Sequence, residues 1–226
     1  MKTKLYNFKL ELDWRLLKTI SQIDRFDASW LSIEKREGVN LKQLKSIATI
    51  QSIGSSTRIE GSKMSDKEVE ILLSNMDISK LEDRDKQEVA GYSNVLSIIS
   101  DSEMDIEITE NNIKNLHNQL LRYSNKDKWH RGNYKQHTNA VEAKFPDGTR
   151  QIIFKTEEPG YATEDAMRNL VSWLHSEKEV HSLIITACFI YEFLSIHPFQ
   201  DGNGRMARLL ASLILVKHDL FPLTVR

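Results

Sequence analysis

Cysteine, proline and glycine are scarce in this sequence: its 226 residues contain one cysteine, four prolines and nine glycines. A single cysteine cannot form an intramolecular disulfide, which excludes disulfide-stabilised secreted folds and favours a reducing compartment such as the cytoplasm. That residue, Cys188, lies in an apolar stretch, where a small core residue is expected rather than a reactive thiol. With so few helix breakers and many Leu, Ile, Lys and Glu residues, the composition predicts a mainly α-helical protein.

Two further absences limit the classes of function that the protein can have. The 31 basic and 32 acidic residues give a formal net charge of −1, so no excess of positive charge favours binding to nucleic acid or to anionic membranes. No stretch is long and apolar enough to span a membrane, and residues 1–14 lack the apolar run of a signal peptide. We therefore expect a cytoplasmic protein with a sizeable core, built as one large domain or two small ones.

Apolar residues recur at helical spacing along most of the chain. A break at Gly38 to Asn40 separates the first two predicted helices, and Ser65 to Glu68 forms a capping box at the start of another. His117 is expected at the surface or boundary of its helix. The helices whose two ends are both predicted cover residues 10–35, 41–53, 85–100, 109–122, 163–176 and 183–196.

Residues 134–154 have a different pattern, in which two strand-like runs flank Pro146, Asp147 and Gly148. A Pro-Asp-Gly sequence between such runs is typical of a tight turn. The pattern therefore predicts a β-hairpin, the only β-structure expected in the chain.

The most informative stretch is residues 197–208, HPFQDGNGRMAR, between two apolar segments at helical spacing. The pattern predicts a helix, a tight loop over residues 198–204, and a second helix beginning near Asn203 or Gly204. The start of a helix has unpaired N–H groups and a partial positive charge. Glycines there allow main-chain amides to approach a ligand closely, so the loop is expected to bind an anion, for which phosphate is the natural candidate.

Four side chains of this stretch add chemistry to the anion site. Arg205 and Arg208 are three residues apart, so they lie on the same side of the second helix and can both reach phosphate oxygens. Asp201 supplies a hard oxygen ligand suited to Mg²⁺ on a polyphosphate. His197 precedes the loop and can take a proton from an attacking group.

Residues 197–208 match the Fic motif, H-x-F-x-[DE]-G-N-G-R-x-x-R, at every specified position, so the chain resembles the Fic (Fic/Doc) family of protein AMP-transferases. The resemblance implies a mainly α Fic fold that transfers AMP from ATP to a hydroxyl of a target protein, with Mg²⁺ as the metal. It also implies a role for each motif residue: His197 as the general base, Asp201 as the Mg²⁺ ligand, Asn203 at the α-phosphate, Gly202 and Gly204 as the anion cradle, and Arg205 and Arg208 at the outer phosphates.

Residues 56–61, STRIEG, resemble the inhibitory pattern of the same family, [ST]-x-x-x-E-[GN]. In the family the glutamate, here Glu60, pairs with the second motif arginine, here Arg208, and fills the space that the γ-phosphate needs. The resemblance therefore implies an inhibitory role for Ser56 and Glu60, and it places the chain in the class with an N-terminal inhibitory helix. On the residues alone, the pattern describes just as well an exposed glutamate at a helix end before a terminating Gly61.

The resemblance also bears on how the chain is organised. It implies an N-terminal helical region over residues 1–80, which contains the inhibitory motif, and a Fic core over 81–226, with one compact unit as the alternative. Fic proteins usually continue beyond the motif helix, so a short member and a fragment of a longer protein are both open. The hairpin occupies the position of the Fic flap, which implies that a target protein docks around Thr138–Ile153 by strand addition. A plain surface hairpin is the alternative.

The same residues fit three other functions. Removal of AMP from a modified protein would use Glu60 to orient water, and transfer of phosphate or phosphocholine would use the same loop. The third is a non-catalytic protein that binds ATP as a regulatory ligand, although an intact His197 and Asp201 argue against it. No motif specifies the target, the acceptor residue, the oligomeric state or the activating signal.

Overall fold

The computed structural model describes residues 8, 10, 11, 13–77, 81–102, 105–145 and 147–218. Over these residues the chain forms seven helices and one two-stranded antiparallel sheet, which confirms the mainly α-helical fold with one hairpin. No helix in this part of the chain combines the length and the apolar character needed to cross a membrane. The helices are α1 (Trp14–Ile59), α2 (Asp66–Ser74), α3 (Arg84–Ser102), α4 (Glu110–Leu120), α5 (Tyr161–Ser176), α6 (Ser182–Ile196) and α7 (Asn203–Lys217), and the strands are β1 (Ala140–Lys144) and β2 (Arg150–Lys155).

Helix α1 contains an interruption close to the place where the sequence predicts a break between two helices. Asp13 caps its start by accepting a hydrogen bond from the Leu16 amide at 2.6 Å. The backbone departs from helical values at Glu37, whose φ and ψ are −112° and 16°, one residue before the predicted break at Gly38 to Asn40. Two helical segments meet at a kink there. Asn40 donates to the Glu37 carboxylate at 3.1 Å instead of capping a new helix. The local signal marks a bend, and the helix resumes beyond it.

The core is built around α6, which packs against α5 and α7, while α3 contacts α1, α4 and α7. Phe189 and Phe193 on α6, and Phe199 just beyond it, are fully buried. Burying a phenylalanine contributes about 1.5–3 kcal/mol, so the loop after α6 is anchored in the interior. Cys188 is buried beside them, as expected of a small core residue.

The N-terminal region contacts the rest of the fold directly. Helix α1 packs on α2, α3 and α7, and α2 also contacts α3. The Lys63 amide donates to the Asp85 carboxylate at 2.7 Å, which joins the segment after α1 to the start of α3. A division of the chain near residue 80 stays a prediction.

The hairpin forms where the sequence predicts its turn. The Phe145 amide donates to the Thr149 carbonyl, and the Gly148 amide donates to the Phe145 carbonyl, both at 2.9 Å. Gly148 has a φ of 86°, in the region that glycine adopts readily. Pro146 lies outside the described residues. Strands β1 and β2 pair antiparallel with one irregularity after Val141, so the hairpin is a short two-stranded ribbon.

Candidate active site

Helix α6 ends at the candidate base. His197 is its C-cap and has left-handed φ and ψ of 52° and 61°. Its Nδ1 lies 3.1 Å from the Leu194 carbonyl. Because a carbonyl only accepts, Nδ1 carries the proton, and Nε2 keeps its lone pair in the neutral ring. Burial lowers the pKa of His197; the Lys135 ammonium acts in the same direction, and the bond to Leu194 and the carboxylates of Glu60 and Asp201 oppose it. The ring is therefore held as a neutral base.

The loop after His197 is closed by Asn203, the first residue of α7. The Asn203 side-chain oxygen accepts from the Phe199 amide at 2.9 Å, and its nitrogen donates to the Phe199 carbonyl at 2.7 Å. Asn203 is buried, so both polar ends of its side chain serve the loop itself. Contact of Asn203 with an α-phosphate stays a prediction. Such a contact would use its main-chain N–H, which lies in the first turn of the next helix.

Helix α7 begins at Asn203, as predicted, with Gly202 as its N-cap at a φ of 81°. The N–H groups of a first helical turn have no partner within the helix and form its positive end. A Cβ added to Gly204 would collide with Oε1 of Glu60. The Glu60 carboxylate therefore lies directly over the first turn of α7, where the sequence predicts an anion.

Arg208 joins α7 to the end of α1. Its Nη2 donates to Oε1 of Glu60 at 2.7 Å and to the Ser56 carbonyl at 3.0 Å, and its Nε donates to Oγ of Ser56 at 2.7 Å. The side chains of Arg208 and Glu60 are 31% and 30% exposed, so water screens the pair only in part. The residues that the sequence groups as inhibitory are in contact, and Ser56 accepts two of the three bonds.

Arg205 contacts different groups from Arg208. Its side chain is 1% exposed, with Nη1 3.6 Å from Oε1 of Glu88 and Nη2 3.5 Å from Oδ1 of Asp201. The two arginines separate because α3 brings the buried carboxylate of Glu88 against α7. Nε and Nη1 of Arg205 have no hydrogen-bond partner within the described residues. Both atoms are buried, so contact of Arg205 with a phosphate stays a prediction.

Asp201 lies between the loop and the surface. Its Oδ1 accepts from the Gly202 amide at 2.6 Å, Oδ2 is 3.9 Å from Nζ of Lys126, and the side chain is 35% exposed. No cluster of three or more His, Cys, Asp or Glu side chains that could hold a metal is found in the part of the chain that the structure describes. A single oriented carboxylate nevertheless fits Mg²⁺, which proteins often hold through one or two carboxylates and the phosphates of a substrate.

His117 on α4 belongs to this site, and the sequence places it wrongly. It is fully buried rather than at the surface, and its ring stacks on Phe199 with the centroids 3.7 Å apart. Nε2 donates to the Asp201 carbonyl at 3.0 Å, and Nδ1 accepts from the Gly132 amide at 2.9 Å. One signal was present: His117 follows the buried Ile113 by four residues and so shares its helix face.

The hydrogen bonds of His117 should make stability depend on pH. They fit only the neutral ring, and burial lowers its pKa to about 4 from 6.5. The unfolded chain therefore binds this proton first, and the stabilisation is complete above pH 6.5 and lost as the pH falls toward 4. The expected slope is about 1.4 kcal/mol per pH unit. Urea unfolding across this range should show a weaker pH dependence for His117→Phe, which stacks but cannot titrate. An equal dependence in both chains would contradict this role.

Comparison with known proteins agrees with the geometry. Residues 107–215 match the Fic/DOC family. A probable protein adenylyltransferase of Aquifex aeolicus is 38% identical over 87 residues, 36% of this chain and 27% of that protein. The protein adenylyltransferase Fic of Drosophila erecta is 27% identical over 218 residues, 95% of this chain and 41% of that protein. The chain thus spans less than half the length of these two curated relatives.

The fold comparison points the same way. A Fic-domain-containing signalling protein from Bacteroides thetaiotaomicron shares the fold with a TM-score of 0.70 at 24% identity, over 87% of this chain and 72% of that one. The matched residues 107–215 include His117, the whole loop and the first turns of α7. Residues 107–215 of this chain therefore match the Fic/DOC family, and the chain shares the fold of a Fic-domain structure.

Proposed function

We propose that the protein transfers AMP from ATP to a hydroxyl side chain of a target protein and is held inactive in cis by Glu60. One observation carries the proposal: the Glu60 carboxylate lies 2.7 Å from Arg208 and over Gly204 at the positive start of α7. A carboxylate of the chain itself thus occupies a position suited to an anion. The relatives named protein adenylyltransferases support the phosphates of ATP as that anion and AMP transfer as the reaction.

In the proposed reaction, ATP lies with its phosphates along the first turn of α7. The acceptor oxygen forms a bond to the α-phosphorus, the bond from that phosphorus to the oxygen bridging to the β-phosphate breaks, and pyrophosphate leaves. Nε2 of His197 takes the hydroxyl proton as the new bond forms. The other contributions are positioning and neutralisation of charge. The residues proposed to bind the phosphates are Gly202, Asn203, Gly204, Arg205 and Arg208.

Asp201 is proposed to hold Mg²⁺ jointly with the phosphates. The metal, when bound, would neutralise charge on the phosphates. The Gly202 amide orients Oδ1 of Asp201, and Oδ2 faces the surface near Lys126.

Asp201→Ala is expected to lose Mg²⁺-dependent transfer, because Asp201 is the one fully charged oxygen ligand in the motif. Calorimetric titration of Mg²⁺ into the ATP complex should show weaker metal binding for this variant. Asp165→Ala, which removes a carboxylate on α5 outside the site, is the matched control. Activity insensitive to both the substitution and EDTA would remove the metal from the proposal.

The target is proposed to dock at the hairpin around Thr138–Ile153. A two-stranded ribbon has edges on which an extended segment can add as a third strand. Ile152 and Ile153 on β2 are more than half exposed, and such apolar side chains suit contact with a partner. The cytoplasm is the proposed compartment, in keeping with the single buried Cys188.

Labelled ATP tests the reaction. The Glu60→Gly chain is incubated with cell lysate and either α-labelled or γ-labelled ATP. AMP transfer puts label on protein from α-labelled ATP only, whereas phosphate transfer does so from γ-labelled ATP only. Absence of label from both, across repeated lysates, would favour a non-catalytic nucleotide-binding protein.

Removal of AMP from a modified target is a second candidate. The Glu60 carboxylate is close enough to His197 to influence its pKa, so the two groups could orient a water together. Incubation of the parent chain with a pre-AMPylated protein distinguishes the reactions: release of AMP that is lost in Glu60→Gly supports removal.

A further inference from the structure

Two residues outside the motif hold the main chain of the candidate base. The carbonyls of four consecutive residues, 196–199, all accept hydrogen bonds from Lys135 or Asn139. Nζ of Lys135 donates to the carbonyl of residue 196 at 3.0 Å, and its amide donates to that of residue 198 at 2.8 Å. The Asn139 side-chain nitrogen donates to the carbonyls of residues 197 and 199 at 3.4 Å and 3.0 Å. Lys135 and Asn139 therefore hold the backbone at the candidate base and on both sides of it.

The same two residues hold the open end of the hairpin. Asn139 immediately precedes β1, and Thr156 immediately follows β2. Nζ of Lys135 donates to Oδ1 of Asn139 and to Oγ1 of Thr156, both at 2.9 Å, and Thr156 donates to the Asn139 carbonyl at 2.8 Å. An ammonium has three donors, and Lys135 uses one on α6 and two on the hairpin. We name Lys135, Asn139 and Thr156 the hairpin clamp.

The hairpin clamp binds a backbone segment that has an unfavourable conformation. Among the described residues, His197 is the only non-glycine residue with a positive φ. Such a conformation is unfavourable for a residue with a Cβ and persists where its surroundings over-determine it. Lys135 is 2% exposed. A buried lysine that bonds three oxygens is a rigid attachment, unlike a surface lysine, whose side chain is mobile.

We propose that Lys135 and Asn139 are positioning residues that hold His197 in its reactive orientation and couple it to the hairpin on which the target docks. This proposal rests on the proposed function and adds a structural route by which docking of the target at the hairpin affects the orientation of His197. Strain applied to the hairpin by a docked segment passes through the clamp to residues 196–199 without leaving the hydrogen-bonded network. Neither residue touches the reacting atoms.

Electrostatics provides an independent signature of this contact. Burial lowers the pKa of His197 most. Among the charged groups, the Lys135 ammonium lowers it further, and the Glu60 and Asp201 carboxylates raise it. Removing the ammonium should raise the pKa of His197, so that the base becomes protonated at a higher pH. Asn139→Ala removes bonds to the same backbone but no charge, so this shift should be clear in Lys135→Met and much smaller in Asn139→Ala. An equal shift in both variants would come from hydration of a loosened ring.

The test uses the full Glu60→Gly chain with and without Lys135→Met, which keeps the length of the side chain and removes its charge. We expect kcat for AMP transfer to fall about 10- to 100-fold, the loss that a small misplacement of a reacting group causes. The Kd for ATP should be unchanged, and the acid limb of the kcat/KM profile should move to higher pH. Lys128→Met, an exposed lysine outside the clamp, is the control and should behave like the parent.

Amide hydrogen exchange separates failure of this inference from failure of the proposed function. If Glu60→Gly transfers no AMP, the function is wrong, and exchange alone then decides the clamp. Faster exchange at residues 135, 197 and 199 in Lys135→Met, compared with Lys128→Met, supports it. Asn139→Ala should act in the same way if Lys135→Met does not fold. Unchanged exchange, or an unchanged kcat in a chain that transfers AMP, would overturn the inference.

Discussion

In the Glu60→Gly chain, which lacks the proposed inhibitor, His197→Ala should reduce AMP transfer by about 10²- to 10⁴-fold, the usual contribution of a general base, while ATP binding survives. The reason is geometric: Nδ1 is committed to the Leu194 carbonyl, so Nε2 is the proton acceptor that an alanine removes. His197 faces the acceptor hydroxyl in the proposed reaction and makes no proposed contact with the nucleotide. Label from α-labelled ATP measures transfer, and calorimetry measures the Kd for ATP.

The matched control for this variant is His181→Ala. His181 and His197 flank the two ends of α6, and His181 caps its start by accepting from the Leu183 amide at 3.2 Å. Loss of His181 should therefore lower stability without a comparable loss of transfer. Burial lowers the pKa of His197, so the Glu60→Gly chain should remain active below pH 6.5, the ordinary histidine pKa. Its activity should fall as the pH drops through that lowered pKa. Near-normal labelling by His197→Ala would remove this residue from the mechanism.

Glu60→Gly should raise AMP transfer, including self-modification, by about 10- to 100-fold without any partner. A hydrogen bond between charged groups contributes about 1.5–3 kcal/mol, and differences of that size correspond to one to two orders of magnitude in binding. The structure also explains why this substitution should activate the protein without displacing Arg208. Arg208 keeps its two bonds to Ser56 when Glu60 is absent, so the guanidinium stays in place for the γ-phosphate. The initial rate of labelling, compared between the two chains, measures the effect.

Two further variants test this explanation of the inhibition. Arg208→Ala frees Glu60 but also removes the proposed γ-phosphate ligand, so its activity should stay low. Glu60→Gln keeps most of the bulk over Gly204 and removes the charge, so it separates the steric part of the inhibition from the electrostatic part. The idea fails if Glu60→Gly labels no better than the parent, or if Arg208→Ala is the more active of the two.

The parts of the site that could be predicted are those with local signals. Gly202 and Asn203 mark the start of α7 because the chain conformation there depends on a few neighbouring residues. The capping box of Ser65 and Glu68 is present for the same reason. The hairpin turn also depends on adjacent residues, with Gly148 at positive φ. In each case the residues that determine the structure are within four positions of one another.

The parts that could not be predicted depend on contacts between distant residues. His117 bonds a residue 84 positions away, and Lys135 bonds one 61 positions away. A lone histidine or lysine in a polar stretch is ordinarily at the surface, and only the packing of α4 and of the hairpin base against the motif loop reverses that expectation. The separation of the two motif arginines likewise requires knowing that Glu88 is buried against α7, which no spacing within residues 197–208 can indicate.

In the proposed inhibition, the position of Glu60 over Gly204 makes its carboxylate a ligand that the protein carries on its own chain. A tethered ligand acts at an effective concentration set by the geometry of its attachment and not by the amount of protein. The fraction of molecules in which the Glu60 carboxylate occupies the site is therefore independent of the protein concentration. Nucleotide competes with it, and the apparent affinity for ATP equals the intrinsic affinity reduced by the fraction of molecules in which the carboxylate has left. The apparent affinity for ADP, which has no γ-phosphate, should be reduced much less. The ratio of the apparent affinities for ATP and ADP therefore reports how often the end of α1 leaves the site.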